Sequence, residues 1–487
     1  MINRRTARIT ASVVATFGIA AASTAQPAYA DDDRRTDATT SKADSLASVL
    51  SPDSLRDRFG LDPSLAEAVA GDLRIRSQLD FSVDPQLAVD LRTGKVPAST
   101  DVPEIPLTPS EADEFFQRQA LEQDAQILND ALSSGELSEY YAGQFIDHRA
   151  GGKLVVNAAT AEGAKAIQGV LDGGLGRQLP HQDRVVVREV GVSKRDLLTA
   201  QQQVADSIQK DPEGAIASAY IDEQANSLVV GIDPEATPER RAKVEELVKS
   251  LKVPSTVEDT PRFVDTNGTL RDDSSVPPYS GGHGYVATAS TQSPPPGGGV
   301  ACTFGFKVNW SAYPSNSFLL SAGHCWTNAP IDAKAYYNWY GTNGGSRTAV
   351  GATKGYYITN QLDLSLVQMG TDTAPKIIID ASSPNQYRGI TRTTAYAPAG
   401  ITVCHVGSMS DTTHCGTIAQ WANYRQRILV NASGVIGGDS GGPLYVILAN
   451  QKAEATGITA TSSGSQTEST NTFVYLSSFC NCSIATE

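Results

Sequence analysis

Hydrophobic and polar positions change rhythm near residue 279. Downstream, short alternating runs at 304–308, 335–339, 355–358, 427–430 and 444–447 are separated by turn signals rich in Gly, Ser and Thr. That period of two over short stretches predicts an all-β sandwich or barrel. Upstream the rhythm is mixed. Phe115, Leu121, Ala125 and Leu128 recur at roughly helical spacing, which predicts a helix from about residue 108 to 132 with Ser110 as its cap. Residues 140–147, a turn at Gly151-Gly152 and residues 153–156 read as a hairpin, followed by an alanine-rich helix at 160–171. The pattern then recurs. A strand at 184–190 and a helix at 193–209 lead to a second hairpin, 217–222 with 227–232, and a helix at 238–251. Residues 140–251 are therefore expected to form an α+β body of two hairpin-plus-helix units. Residues 31–105 are polar with helical fragments such as 65–69. Residues 259–278 read as an exposed linker.

Charge follows the same division. Residues 31–278 carry 26 basic and 44 acidic side chains, whereas 10 basic and 9 acidic ones follow from Tyr279 onward. The asymmetry signals two bodies with different tasks. No basic stripe suggests nucleic acid. The chain begins with Arg4, Arg5 and Arg8, an apolar run from Ile9 to Ala22, and Ala28-Tyr-Ala30 before three aspartates. That is the form of an export leader over residues 1–30, too short in its apolar part for a membrane anchor. The expected product is secreted and extracellular. All six cysteines lie downstream of residue 300, and in an exported chain an even count suggests disulfides. Zinc ranks below that reading, because paired Cys-x-x-Cys knuckles are missing.

The candidate chemistry lies in the β-rich half. Ile436-Gly-Gly-Asp-Ser-Gly-Gly-Pro443 sets Ser440 on a turn where backbone N–H groups can crowd around it. Ser321-Ala-Gly-His-Cys325 supplies His324 at the end of an apolar run. Leu362-Asp-Leu-Ser-Leu-Val367 supplies Asp363. The order His, Asp, Ser differs from that of subtilisins and α/β-hydrolases. Asp372 is the alternative acid. Asp363 is preferred because an unpaired carboxylate inside an apolar run would be costly.

Taken together, Cys302-Thr-Phe-Gly-Phe306, Ser321-Ala-Gly-His-Cys325, Val403-Cys-His-Val-Gly407, His414-Cys-Gly-Thr-Ile418 and Gly438-Asp-Ser-Gly-Gly-Pro443 resemble the bacterial chymotrypsin-like serine proteases typified by α-lytic protease and the streptogrisins. The resemblance covers roughly 280–476, and residues 141–156 resemble that family's propeptide. It implies a chymotrypsin-like double β-barrel at 279–487, preceded by an acidic propeptide at 31–278 with its body at 140–251 and a linker at 252–278. Cleavage is expected near 276–280, with 297–299 as the alternative. Ser440 would be the nucleophile and His324 its base. Asp363 would orient the imidazole, and the N–H groups of Gly438 and Ser440 would hold the oxyanion. The resemblance also implies Cys302–Cys325 and Cys404–Cys415 bridges. It leaves Cys480 and Cys482 open between a strained bond to each other and free or intermolecular thiols.

Departures from the family carry further expectations. His405 stands where the family usually has an arginine paired with the aspartate before the nucleophile. It is therefore expected to pair with Asp439 and make that loop sensitive to pH. Ala460-Thr-Ser462 replaces a substrate-pairing Ser-x-Gly. Gly434 lacks the carboxylate used against Arg or Lys. With Thr459, Ala460 and Ser462 in the adjoining wall, this points to an uncharged P1 residue. The implied protein is a secreted serine endopeptidase made as a proenzyme. It needs no cofactor or metal and acts on polypeptides. Its own propeptide is folding template and inhibitor, and the processed enzyme is a monomer. A catalytically impaired protease-like binding protein and an esterase using the same triad are the alternatives.

Overall fold

The computed structural model describes residues 51–211, 214–265, 278–288, 299–327, 329–330, 332–338, 347–359, 362–379, 386–410, 413–422, 427–471, 476, 480 and 482–487. The expected leader at 1–30 lies outside them, as do residues 276–277 and 297–298 in the two stretches expected to be cut. Leu50–Glu487 form one compact unit.

The polar N-terminal stretch is more ordered than its composition suggests. Pro52–Phe59, Pro63–Gln78 and Pro85–Arg92 are helices, each opened by a proline and capped by Ser51, Asp62 and Asp84 respectively. Proline suits this position because its missing N–H would find no helical partner there anyway. The helix expected at 108–132 is two helices, Pro109–Gln119 and Leu121–Leu132. Its cap is Thr108, not Ser110. Pro109 keeps the preceding residue extended, and Glu111 completes a reciprocal capping box with Thr108.

Both hairpin-plus-helix units form, and each has a third strand. In the first, Tyr141–Asp147 pairs with Lys153–Ala158, helix Ala161–Asp172 crosses over, and Val185–Glu189 returns parallel to Lys153–Ala158. Helix Lys194–Lys210 leads to the second. There Ile216–Asp222, Ser227–Ile232, helix Pro238–Ser250 and strand Ser255–Asp259 repeat the arrangement. The stretch 252–278, read as linker, therefore contains a strand that completes a sheet. A second short strand, Val264–Asp265, pairs antiparallel with Ser462 and Thr461.

The C-terminal half is a pair of antiparallel β-barrels. In the first, Val300–Thr303 pairs with Gly284–Ala287, and the same run continues as Lys307–Trp310 against Ser317–Ser321. The bend between is stitched by Gly305 N–H to Leu320 O and Leu320 N–H to Phe306 O. Asp363–Met369, Arg347–Ile358 and Lys334–Asn338 carry the pairing back to Gly284–Ala287, closing six strands if the bent run counts as one. The second barrel runs Pro443–Leu448, Thr402–Val406, Thr413–Gln420, Arg427–Asn431, Thr467–Asn471 and Lys452–Ser462, which pairs again with Pro443–Leu448.

This second barrel is covered from outside. Every residue of Thr402–Val406 is buried, and so is every residue of Pro443–Leu448 except the last. Barrel strands alternate inward and outward, so uninterrupted burial means that the outer face is shielded as well. The shield is the N-terminal half. Ile75, Leu79, Ile105, Leu107 and Phe115 share one apolar cluster with Ile390, Tyr445, Ile447 and Ala453. Leu121, Leu128, Tyr141 and Ile146 share another with Ile401, Val403 and Val446.

Polar groups are matched across the same contact. The Gln119 amide accepts from Thr402 N–H at 3.0 Å and donates to Thr402 O at 2.8 Å. Gln78 does the same between Thr417 N–H and Asn431 O, both at 3.0 Å. Arg388, fully buried, donates to both carboxylate oxygens of fully buried Glu104 at 2.5 and 2.7 Å, and the Tyr445 hydroxyl donates to Glu104 at 3.2 Å. Breaking such a pair leaves the buried Arg388 charge with backbone carbonyls, Asp101 O at 2.8 Å among them, in place of its counter-charge. Glu104→Gln is therefore expected to destabilise the full chain by about 3–5 kcal/mol in urea unfolding, with Arg388→Met on that background restoring most of the loss. Equal losses in the single and double variants would contradict this.

Candidate active site

The residues singled out in sequence meet at the junction of the two barrels. His324 opens a short 3-10 turn, His324–Trp326, just after strand Ser317–Ser321. Its loop is clamped by the Cys302–Cys325 disulfide, with Cα atoms 6.4 Å apart. Asp363 is the first residue of Asp363–Met369. It takes the His324 backbone N–H on Oδ1 at 2.8 Å and the ring Nδ1 on Oδ2 at 2.7 Å. On the other side of the ring, Nε2 lies 2.8 Å from Ser440 Oγ. All three residues are buried.

The close approach of His324 to Asp363 needs a glycine before the histidine. A Cβ at Gly323 would stand 2.5 Å from Tyr357 O and 3.0 Å from Asp363 Oδ1. Burial works to raise the Asp363 pKa, but the hydrogen bond and charge of His324, with the Arg427 charge, prevail and hold it below the ordinary carboxylate value. Thr470 donates its hydroxyl to Asp363 O at 3.3 Å. Thr470 was not among the sequence candidates. A threonine in a β-rich chain carries no mark of such a task.

The loop that carries Ser440 is braced by backbone. Ser440 O accepts from Thr303 N–H at 2.7 Å, Gly441 N–H donates to Thr459 O at 2.9 Å, and Thr459 N–H donates to Gly442 O at 2.9 Å. Asp439 is held by three backbone N–H groups at 3.0 Å each: Met409 and Ser410 on Oδ1, Ile436 on Oδ2. The expected His405–Asp439 pair is absent. His405 is buried, stacks 5.6 Å from His414, and makes no hydrogen bond from either ring nitrogen among the described residues. The backbone N–H groups of Met409, Ser410 and Ile436 stand in for a side-chain partner, and burial still raises the Asp439 pKa against them. Burial pushes the His405 pKa down to about 3, so the ring stays neutral through the neutral range.

The residues expected to form the substrate pocket lie as follows. Gly434 has φ +90° and packs against the His414 ring. Thr459 and Ala460 are buried, and the Ser462 hydroxyl donates to Gln466 O at 3.3 Å. The Thr461–Ser462 edge is occupied by Val264–Asp265 of the same chain. The disulfides are Cys302–Cys325, Cys404–Cys415 and Cys480–Cys482; the last resolves the two C-terminal thiols as partners.

No protein-family model matches the chain, and no curated protein matches it. Several solved structures are similar. A chymotrypsin of Cellulomonas bogoriensis is 22% identical, with 43% of this chain and 98% of that one covered and a TM-score of 0.30. A Nocardiopsis protease (NAPase) is 19% identical over 42% of this chain and 98% of that one, also at 0.30. A glutamic acid specific serine protease, described as using a histidine triad in substrate binding, is 20% identical over 42% and 100%, at 0.31.

An imidazole neutral when folded takes up a proton near pH 6.5 once unfolded, so His405 costs the fold stability as pH falls from 6.5 toward 3. His405→Phe is expected to reduce the stability lost between pH 7 and pH 5 by about 2 kcal/mol in urea titrations. It should leave the pH dependence of Ser440 reactivity between pH 6 and 9 unaltered. A shifted reactivity profile would contradict this placement of His405.

Proposed function

We propose that this chain is a secreted serine endopeptidase made as a proenzyme. The observation that carries the reading is the hydrogen-bonded chain from Asp363 through His324 to Ser440, at 2.7 and 2.8 Å, in a buried site. In this reading Ser440 Oγ attacks the scissile carbonyl while His324 Nε2 takes its proton. Asp363, ionised and bonded to Nδ1, keeps the imidazole in the accepting tautomer and stabilises the imidazolium. The tetrahedral oxyanion is held by the N–H groups of Gly438 and Ser440. Collapse expels the amine, protonated by His324, and leaves an acyl-enzyme that water hydrolyses by the same steps in reverse. Gly434, Thr459, Ala460 and Ser462 favour an uncharged P1 side chain, because none of them offers a charge to meet one.

The proenzyme part rests on the N-terminal half. It shields the outer face of the second barrel, and Val264–Asp265 lies antiparallel on the Thr461–Ser462 edge, where an extended peptide substrate would pair. Residues 31–278 thus serve as template and inhibitor, and residues 279–487 as the protease domain. Cleavage falls near residues 276–280. A cut at 297–299 would remove Gly284–Ala287, which closes the first barrel, and Tyr279–Gly281, which pairs with Thr373–Ile378. Export fits the leader-like start and the three disulfides.

Labelling with a peptidyl phosphonate tests the chemistry. The processed chain is expected to be modified on Ser440, as located by mass spectrometry, and the unprocessed chain at least about 10-fold more slowly, because the edge is occupied. Ser440→Ala should abolish both labelling and peptide hydrolysis. Undiminished peptide hydrolysis by Ser440→Ala would remove the reading.

A further inference from the structure

We infer that Thr303 is a positioning residue for the oxyanion site, acting through its side-chain hydroxyl. The inference deepens the serine-endopeptidase reading and rests on it. Thr303 follows Cys302, is buried, and faces the nucleophile loop from the first barrel. Its Oγ1 donates to Gly438 O at 2.8 Å and accepts from Ser408 N–H at 3.0 Å, with Ser408 Oγ also 3.0 Å away. Its backbone N–H donates to Ser440 O at 2.7 Å. Its carbonyl accepts from the Ser321 hydroxyl at 2.8 Å, and Ser321 in turn accepts from the Tyr285 hydroxyl at 2.7 Å. One residue therefore grips the nucleophile loop on both sides of Asp439 and is itself anchored in the first barrel.

The consequence for chemistry lies in the peptide between Gly438 and Asp439. Its carbonyl is held by the Thr303 hydroxyl, and its N–H donates to Ile436 O at 3.2 Å. With that plane fixed at both ends, the Gly438 N–H is aimed from it through the two backbone torsions of Gly438 itself. There φ is +103°, a value that glycine adopts without strain. A Cβ at this position would also stand 2.2 Å from Met409 Cγ. Removing the hydroxyl would free the carbonyl end, and the Gly438 N–H would no longer be pre-aimed at the oxyanion. Such donors accelerate reaction because they need no reorganisation when charge develops. Thr303 touches neither substrate nor the Ser440 hydroxyl; it acts through Gly438.

Thr303→Val keeps the shape and removes the hydroxyl, while Thr303→Ser keeps the hydroxyl and removes a methyl. Each is made in the full-length chain, which is then allowed to process. Thr303→Val is expected to lower kcat on a peptide amide by about 10- to 100-fold with KM changed less than about 3-fold, since an interaction made in the transition state is weakened. Affinity for a peptide boronic acid, whose adduct is tetrahedral, should fall by the same factor. Affinity for the unmodified product peptide should not. Thr303→Ser should stay within about 3-fold of the parent on every measure. Equal kcat in Thr303→Val and the parent would overturn the inference, as would equal losses in Val and Ser, which would assign the effect to packing. A parent chain without peptidase activity would instead remove the reading on which the inference rests.

Discussion

A barrel strand has two faces, and along Thr402–Val406 neither one reaches water. That constraint shapes much of the remaining structure. The second barrel carries Ser440, Asp439 and the Thr461–Ser462 edge, and its outer wall is finished by helices and hairpins from the other half of the chain. Side-chain amides of Gln78 and Gln119 bond to strand backbone much as a neighbouring strand would. The Arg388–Glu104 pair then fixes the contact, because two charges without solvent hold one another only in a narrow geometry. The acidic half is thus more than a solubilising tail. It contributes to the same apolar clusters as the barrel it covers.

The site follows from the barrels rather than from the cover. His324, Asp363 and Ser440 come from turns and strand ends of both barrels, and their separations of 2.7 and 2.8 Å are hydrogen-bond distances. Asp439 is tied down by backbone N–H groups, so the loop that carries Ser440 has its shape while the N-terminal half is attached. Latency would then come from occupation of the substrate edge by Val264–Asp265, not from a disordered site. In the proposed reading the N-terminal half would then have two separate tasks: completing the fold, and blocking the groove.

Much of this was legible in the sequence because the signals were local. Glycine-flanked Ser440 and the apolar runs beside His324 and Asp363 stand out by composition, and the two hairpins by their period of two. Other features have no local mark. Three backbone N–H groups around Asp439 leave no trace in residue type, so a side chain, His405, was read in their place. Strand Ser255–Asp259 is short, reaches full burial at none of its five residues, and pairs in parallel at the edge of its sheet with Ser227–Ile232, which makes its sequence look like linker. The helices at 52–92 were marked by Ser-Pro and Asp-Pro starts at 51, 62 and 84, but their polar faces masked them. The covered outer wall of the second barrel depends on contacts hundreds of residues apart.

In the proposed reading the N-terminal half completes the barrel fold and then blocks its site. This is tested most directly by producing residues 279–487 alone and with residues 31–278 supplied as a separate chain. Little soluble protein reactive at Ser440 is expected from the first, and from the second a folded complex that gains peptidase activity as the added chain is digested. Equal yields of active protein with and without the added chain would contradict it.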